Sequence, residues 1–406
     1  MGAKTAMMPE ALRRGSFRLP TIRLLASAFF GCAALATTTF AFAETLATRA
    51  PIAFLSAPEN GTVLFAKNAD KAFDPGSLVK VMTAATVFEA LAVGDVQKDS
   101  LCKVSEHAWR TGGAPSRGAT MFAAIKSEVA VEDLLAGLLV HNANDAAIIL
   151  AECLEGSEGS FAQRMNAYAE MIGMRSSHFI NPTGFAPGEG QPLAKTTARD
   201  LARLATVILD KHAVYYGLFA QPEFTWNKIY QRNKNPLLGE IRQLDGLGAG
   251  QSADGYAGLA SVERNGRRVI AAVAGLSSDK NRLTAMREVV EGAWDYFQVQ
   301  TLFNRGDEIA QARVFGGSVS YVPLQAVSDV DVLLPLGGTL DYRLRVVYSG
   351  PLSVPVKAGD IVGELRVVGK DGIVHRTKLA TASDVEPGDT AARALDGLNE
   401  LLFGWF

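Results

Sequence analysis

From Leu78 to Leu91 the chain is apolar on nearly every side of a helix, broken mainly by Lys80, Thr83, Thr86 and Glu89 and stopped by Gly94. Such a helix has no polar face to turn to water, so it must lie inside the fold with other elements packed round it. Enclosing it takes a sizeable domain. The chain has 406 residues, 48% hydrophobic and 20% charged, which suits two or three folded units and is too apolar for disorder.

The first 43 residues read as something other than fold. Arg13, Arg14, Arg18 and Arg23 precede an uncharged apolar run from Leu24 to Ala36, and Ala41-Phe42-Ala43 offers a small-x-small cleavage site before Glu44. That order is the pattern of a secretory signal, and the run is short for a transmembrane helix. Phe30-Gly31-Cys32 makes a poor lipoprotein site, since the apolar stretch continues past the cysteine. Removing a segment of five basic residues and one acidic residue shifts the formal charge from −2 to −6. The balance therefore gives no reason to expect a polyanion partner, and no nucleic acid is expected. Three cysteines exclude a disulfide-stapled scaffold and a multi-cysteine metal cluster. Cys102 and Cys153 would remain after cleavage, and in an oxidising compartment they either pair or stay as two buried thiols.

A strand from Ile52 meets another at Val63 to Phe65 through a turn containing Asn60-Gly61. Helical patterns dominate from Ser77 to about Leu209. Strands return at Tyr256 to Val262 and Val269 to Leu276, with Asn265-Gly266 between them as a tight-hairpin signal. Strands at both ends of a helical middle predict an α/β (α+β) domain over 44–300, with one mainly antiparallel sheet covered by helices. A new texture begins at Asn304-Arg305-Gly306-Asp307. Short strands at Tyr342 to Tyr348, Ile361 to Val368 and Ile373 to Leu379, with a turn at Asp371-Gly372, predict a small all-β domain over 304–384. After Pro387-Gly388, the residues Ala391, Ala394, Leu395, Leu398, Leu402, Trp405 and Phe406 recur at helical spacing. They predict a terminal amphipathic helix over 388–406 that would dock on a membrane interface or on its own domain. Arg393 stands against Asp396 and Glu400, so cationic attraction to lipid is missing.

Several chemistries fail on inspection. The five histidines form no H-x-x-x-H or comparable pair, so no metal is expected. Gly248-Ala249-Gly250-Gln251-Ser252-Ala253 fits a dinucleotide fingerprint, but it lacks the preceding apolar strand and following helix that a fingerprint needs. No G-x-S-x-G elbow occurs. Serine with lysine three residues later remains. A hydroxyl becomes a nucleophile when a neighbouring base takes its proton, and a lysine can be that base if burial keeps it neutral. At i and i+3 on a helix the two side chains share a face. The chain has three Ser-x-x-Lys runs, where roughly one is expected by chance. Ser100 to Lys103 sits in a polar turn, and Ser277 to Lys280 ends a strand where Ser278 or Asp279 reads as a helix cap. Ser77-Leu78-Val79-Lys80 follows the turn Asp74-Pro75-Gly76 and opens the apolar helix, where Lys80 would be desolvated. The plainer reading makes Ser77 an ordinary cap and lets Lys80 snorkel to water.

Ser77-Leu78-Val79-Lys80 with Val81-Met82-Thr83-Ala84 resembles the first motif of the D-alanyl-D-alanine carboxypeptidases, small penicillin-binding proteins of the bacterial envelope. Three further stretches resemble the same family: 108–113, 196–201, and Phe224-Thr225-Trp226-Asn227 followed by Asn233-Lys234-Asn235. The resemblance runs from about Pro51 to Phe297, and the later β domain and terminal helix match the family's usual C-terminal half. It implies a penicillin-binding-protein/serine β-lactamase-like domain, an exported, periplasmic protein held to the inner membrane if its terminal helix binds lipid, and no cofactor. It implies that Ser77 attacks the peptide carbonyl before the terminal D-alanine of a peptidoglycan pentapeptide, with Lys80 as base. β-Lactams would react at the same serine.

Two motifs depart from the family pattern. The second, commonly Ser-Gly-Asn or Ser-Ala-Asn, is here Asn142-Ala143-Asn144. Asn144 keeps its place, expected to bind substrate. Asn142 replaces a serine that helps pass protons; an amide can hold a network and orient water, but relays a proton less readily. The third, normally Lys-Thr-Gly, is Gly248-Ala249-Gly250, expected to line the substrate pocket. Losing a buried partner of a carboxylate costs on the order of 2–5 kcal/mol. Removing a cation should also let the Lys80 pKa rise. Arg232 and Lys234 are either replacements for that cation or solvated loop charges. The expectation is a serine carboxypeptidase of reduced or altered activity. The alternative is a catalytically silent homologue that binds peptidoglycan or an envelope partner. A crosslink-cutting endopeptidase is disfavoured by the β domain.

Overall fold

The computed structural model describes residues 4–5, 46–59, 61–186, 188, 190–336, 342–369 and 372–390. The expected signal over 1–43 and the body of the terminal helix lie outside the described residues, apart from residues 4–5 and 388–390. The chain divides into two compact units, one of which is Leu46–Phe297. Apart from Lys4–Thr5, the described residues of the other begin at Gln298, a few residues before the texture change at Asn304. The strand Phe297–Phe303 pairs with Val330–Pro335 of the β unit, which draws the division back to its start.

In the larger unit, β1 (Ile52–Ala57) and β2 (Thr62–Lys67) come first, and α1 (Val79–Val93) follows. Then come β3 (Leu101–Lys103), α2 (Glu106–Thr111), β4 (Glu128–Ala130), α3 (Val131–Val140), α4 (Asn144–Glu155), α5 (Glu158–Met171), α6 (Ala198–Lys211) and α7 (Ala213–Tyr216). The unit ends with β5 (Glu223–Trp226), β6 (Ile229–Arg232), β7 (Leu244–Ser252), β8 (Gly255–Arg264), β9 (Arg267–Leu276) and α8 (Asp279–Asp295). The main sheet is antiparallel in the order β2-β1-β9-β8-β7, so strands from both ends of the unit build it, as expected.

Side-chain alternation explains why its central strands read as unbroken apolar runs. In β9, Ile270, Ala272 and Ala274 enter the core around α1, while Val269, Ala271 and Val273 face the core around α8. In β1, Ile52 and Phe54 take the first side and Ala53 and Leu55 the second. A strand covered on both faces needs no polar residue on either. The β8–β9 turn has Asn265 and Gly266 at φ 53° and 72°, the left-handed pair that a tight hairpin demands.

Helix α1 is buried as its composition requires: every residue from Val79 to Phe88 is buried. The stretch 76–93 is long and apolar enough to cross a membrane, but 72% of it is buried against this fold, which marks it as a core helix. Gly94 ends it with φ 84° and returns its N–H to the Ala90 carbonyl.

Cys102 on β3 and Cys153 on α4 are joined in a disulfide with Cα atoms 5.4 Å apart. It ties the small β3–β4 ribbon to the helix that follows Asn142-Ala143-Asn144.

The smaller unit contains β10 (Phe297–Phe303, whose first residue belongs to the larger unit), β11 (Glu308–Phe315), β12 (Tyr321–Ala326), β13 (Val330–Pro335), β14 (Arg343–Tyr348), β15 (Leu352–Ser353), β16 (Ile361–Gly369) and β17 (Gly372–Thr381). Its larger sheet runs β14-β16-β17-β12-β11-β15, with Lys4–Thr5 beside β14. Ala312 and Val314, Val322 and Leu324, and Leu365 and Val367 supply its core at a spacing of two. The strands predicted near 342, 361 and 373 are present, and β11 to β13 add three more, in which inward apolar residues alternate with Gln311, Arg313, Gln325 and Asp331. Replacing both Cys102 and Cys153 by Ala is expected to lower stability by about 2–4 kcal/mol, because the bridge closes a loop of 51 residues. Urea unfolding of the oxidised wild type against the double variant measures it.

Candidate active site

The nucleophile candidate sits on a turn held by glycine backbone. Gly76–Leu78 form a single 3-10 turn that runs directly into α1, so Ser77 and Lys80 straddle the junction and face the same cleft. Gly76 has φ 53°, and a Cβ there would meet the Gln251 carbonyl oxygen at 2.1 Å. A Cβ on Gly184 would meet the Gly76 carbonyl oxygen at 2.0 Å, and one on Gly250 the Pro75 carbonyl oxygen at 2.2 Å. Three backbone segments converge on Ser77 at distances that exclude side chains. The N-cap positions here belong to Pro75 and Leu78, so the plainer reading of Ser77 as a cap fails.

Lys80 does not snorkel. It is 4% exposed, and its Nζ donates to the Thr183 carbonyl oxygen at 2.8 Å. Burial pushes its pKa down from 10.5 to about 7. Burial is the cause of this shift, with no third-motif cation present to add to it. Thr83, one turn on, donates to the Pro182 carbonyl oxygen at 2.7 Å, so α1 grips the 181–184 loop twice. The Asn181 side chain shapes that loop by accepting from Thr183 N and Gly184 N. Among the described residues the Ser77 hydroxyl makes no hydrogen bond. It lines the cleft with Lys80 and is open to an incoming group.

Asn142, Gly248 and Ala249 line the cleft with Ser77 and Lys80. Asn142 adopts φ 57° in the link between α3 and α4, a left-handed conformation that asparagine tolerates better than most residues. Strand β7 is the outermost strand of the sheet, so Gly248 and Ala249 present a free backbone edge. A Cβ on Gly248 would touch only Leu78 and Val81, each at 3.6 Å, so the strand there has room for a side chain.

Two expected residues lie outside the lining. Asn144 is 4% exposed at the start of α4, where its N–H donates to the Ala119 carbonyl. Gly250 lies against the Pro75–Leu78 turn, and its carbonyl accepts from Arg282 Nη1 at 3.3 Å. Arg232 is also absent from the lining, whereas Lys234 and Asn235 are part of it. No group of three or more histidine, cysteine or carboxylate side chains suited to a metal occurs among the described residues.

The supporting contacts escaped sequence reasoning. Asp145, fully buried, accepts from Thr120 Oγ1, Met121 N and Ala123 N, pinning the 120–123 loop to the start of α4. Asp245 accepts from Tyr216 and Arg268, each at 2.7 Å, and anchors the start of β7. The Asp next to Asn144 was a visible signal; the Thr183 carbonyl carries none, since any residue has one.

A family model described as D-alanyl-D-alanine carboxypeptidase matches residues 39–278, and one for the C-terminal domain of penicillin-binding protein 5 matches residues 297–387. The chain belongs to the D-alanyl-D-alanine carboxypeptidase family. It is 31% identical to D-alanyl-D-alanine carboxypeptidase DacC of Escherichia coli over 352 residues, 86% of this chain and 87% of that one. Penicillin-binding protein 5 of Haemophilus influenzae superposes with a TM-score of 0.69 at 28% identity, over 84% of this chain and 98% of that chain. Penicillin-binding protein D2 of Listeria monocytogenes, solved in an ampicillin-bound form, matches 62% of this chain and 100% of its own at 29% identity and a TM-score of 0.53. The penicillin-binding-protein fold and the all-β C-terminal domain expected from the family resemblance are thus present.

The protonation of Lys80 is readable by pH through any step that needs the neutral amine. Acylation is expected to fall about tenfold per pH unit well below 7 and to level off above about 8, as Lys80 with a pKa of about 7 loses its proton. A rate still climbing at pH 9 would mean that the amine is hydrated. The folded-state pKa lies below the unfolded 10.5, so the folded chain binds fewer protons between them. The destabilisation is full below pH 7 and fades as pH rises toward 10.5. Lys80→Met is therefore expected to raise the melting temperature at pH 6 while abolishing acylation.

Proposed function

We propose that this chain is a serine-type D-alanyl-D-alanine carboxypeptidase acting on peptidoglycan stem peptides through an acyl-enzyme at Ser77, with activity reduced or altered by its second and third motifs. The observation that carries the reading is the buried Lys80 amine, desolvated to a pKa of about 7 in the cleft that Ser77 also lines. Neutral Lys80 takes the Ser77 proton as Oγ adds to the carbonyl before the terminal D-alanine. The ammonium so formed returns a proton to the leaving amine when the C–N bond breaks, and water then hydrolyses the ester. The free edge of β7 offers backbone N–H and C=O groups along which an extended peptide can lie. Asn142, lining the cleft where the family commonly has a serine, would orient water or a substrate amide but would relay no proton as a hydroxyl can. Asn144 and Gly250 would support the substrate groove from behind its lining.

The family membership and the signal-like first 43 residues support a periplasmic location. Contact of the segment after residue 388 with the inner membrane, and reaction with β-lactams, belong to the same proposal.

Reduced turnover follows from what β7 lacks. Gly248 and Ala249 contribute neither a lysine ammonium nor a threonine hydroxyl to a substrate carboxylate, and one such contact is worth on the order of 2–5 kcal/mol. A silent homologue would share the fold, yet it would have no use for a lysine buried at the cost of its charge.

Purified chain is expected to label with fluorescent penicillin at Ser77, Ser77→Ala to lose the label, and a stem pentapeptide to release D-alanine slowly. No label after long incubation would favour the silent-homologue reading. Gly248→Lys, which the strand has room to accept, is expected to raise the acylation rate at least severalfold; an unchanged rate would refute the account of reduced activity.

A further inference from the structure

We propose that Lys234 and Asn235 form the carboxylate-binding subsite of this cleft, a site that β7 does not furnish; the inference deepens the carboxypeptidase reading and rests on it for the substrate. The charges lining the cleft lead to it. Among the described residues that line it, two are ionisable, Lys80 and Lys234, and none is a carboxylate. Lys80 must be neutral to act as base, so it cannot also be the standing counter-charge of an anion. Lys234, exposed at the rim, is the cation that remains. Its charge is felt along the α3 end of the wall: burial first, and then the Lys234 ammonium, hold the His141 imidazole below its ordinary pKa. His141 immediately precedes Asn142.

Asn235 supplies the second element. Its Oδ1 accepts from Leu237 N at 3.1 Å, which fixes the amide so that Nδ2 points the other way. That Nδ2 is buried and has no hydrogen-bond partner, in a residue that lines the cleft. Buried donors are almost always satisfied, and this one, with under 1 Å² accessible, would meet a ligand oxygen once the wall around it shifts. An ammonium and an amide N–H on adjacent residues suit the two oxygens of one carboxylate.

The segment is built to hold them. Lys234 N donates to the Val140 carbonyl at 2.8 Å, tying the strip to the end of α3. Asn233 Nδ2 donates to the Phe219 and Gln221 carbonyls at 3.1 and 2.9 Å, and its Oδ1 accepts from Asn235 N at 2.8 Å. The side chains of Asn233 and Asn235 thus spend their remaining groups on the backbone, and the strip presents Lys234 without depending on β7.

The test is equilibrium binding, which needs no turnover. Calorimetry compares a diacetyl-lysyl-D-alanyl-D-alanine tripeptide with its C-terminal amide, on the full chain carrying Ser77→Ala. The free acid is expected to bind roughly tenfold or more tighter than the amide. Adding Lys234→Met is expected to erase that preference and Lys234→Arg to keep most of it. Asn235→Asp retains the acceptor for Leu237 N and replaces the donor with a negative charge, so it should erase the preference as well. Equal binding of acid and amide, a preference that survives Lys234→Met, or no binding of either peptide overturns the proposal. If the preference depends on Lys234 while the wild-type chain neither labels with penicillin nor releases D-alanine, the subsite stands and the enzymatic reading falls.

Discussion

The amine of Lys80 is enclosed by the core helix that carries it and by the loop that ends at Gly184, with one carbonyl oxygen, that of Thr183, as its partner. Nearly everything else around the cleft follows from keeping it there. Helix α1 must be buried on all sides, so the helices on one face of the sheet close over it. The 181–184 loop must reach the helix, so Gly184 passes the Gly76 carbonyl where a Cβ would have no room. The outer strand β7 must approach the same turn, so Gly250 lies against Pro75. A lysine without its charge is a liability for stability, and such perturbed groups cluster at functional sites.

The structure also alters how the third motif is understood in this chain. Two tasks can be separated: lowering the pKa of the base, and holding the anionic end of the substrate. Burial by itself takes Lys80 to about 7, so the first task needs no second lysine nearby. The second is a matter of positive charge and donors at the cleft wall, and Lys234 with Asn235 sits on a strip braced independently of β7. A strand of glycine and alanine at 248–250 is then compatible with a cleft of reduced activity, in which the proposed Lys234–Asn235 subsite takes over part of the substrate's charge.

Much of this was legible in the residues. The spacing of Ser77 and Lys80 at the head of an apolar helix marked two residues that line one cleft. Strand alternation and the Asn-Gly turn at 265–266 placed the sheet, and the resemblance brought Asn142, Gly248 and Ala249 to the same cleft. Other features were not legible because they depend on the backbone or on distance. The partner of Lys80 is a carbonyl 103 residues away, a group every residue owns. Asp145 acts through backbone amides of a loop more than twenty residues before it. The pairing of Cys102 with Cys153 stayed open until a 5.4 Å separation of their Cα atoms settled it.

The sequence alone determined that a buried helix would carry a lysine one turn after a serine, because a stretch with no polar face leaves the chain no other option. It also determined two units and the sheet that frames the first. Only the tertiary structure decided that the lysine stays in the interior with the Thr183 carbonyl as acceptor, since snorkelling and burial are equally open to a flexible four-carbon stem until its neighbours are in place. In the same way, only the tertiary structure separated Lys234, held at the cleft wall, from Arg232, two residues earlier and outside it. The charge of a side chain is written in its residue type, but the field it exerts depends on where the backbone holds it.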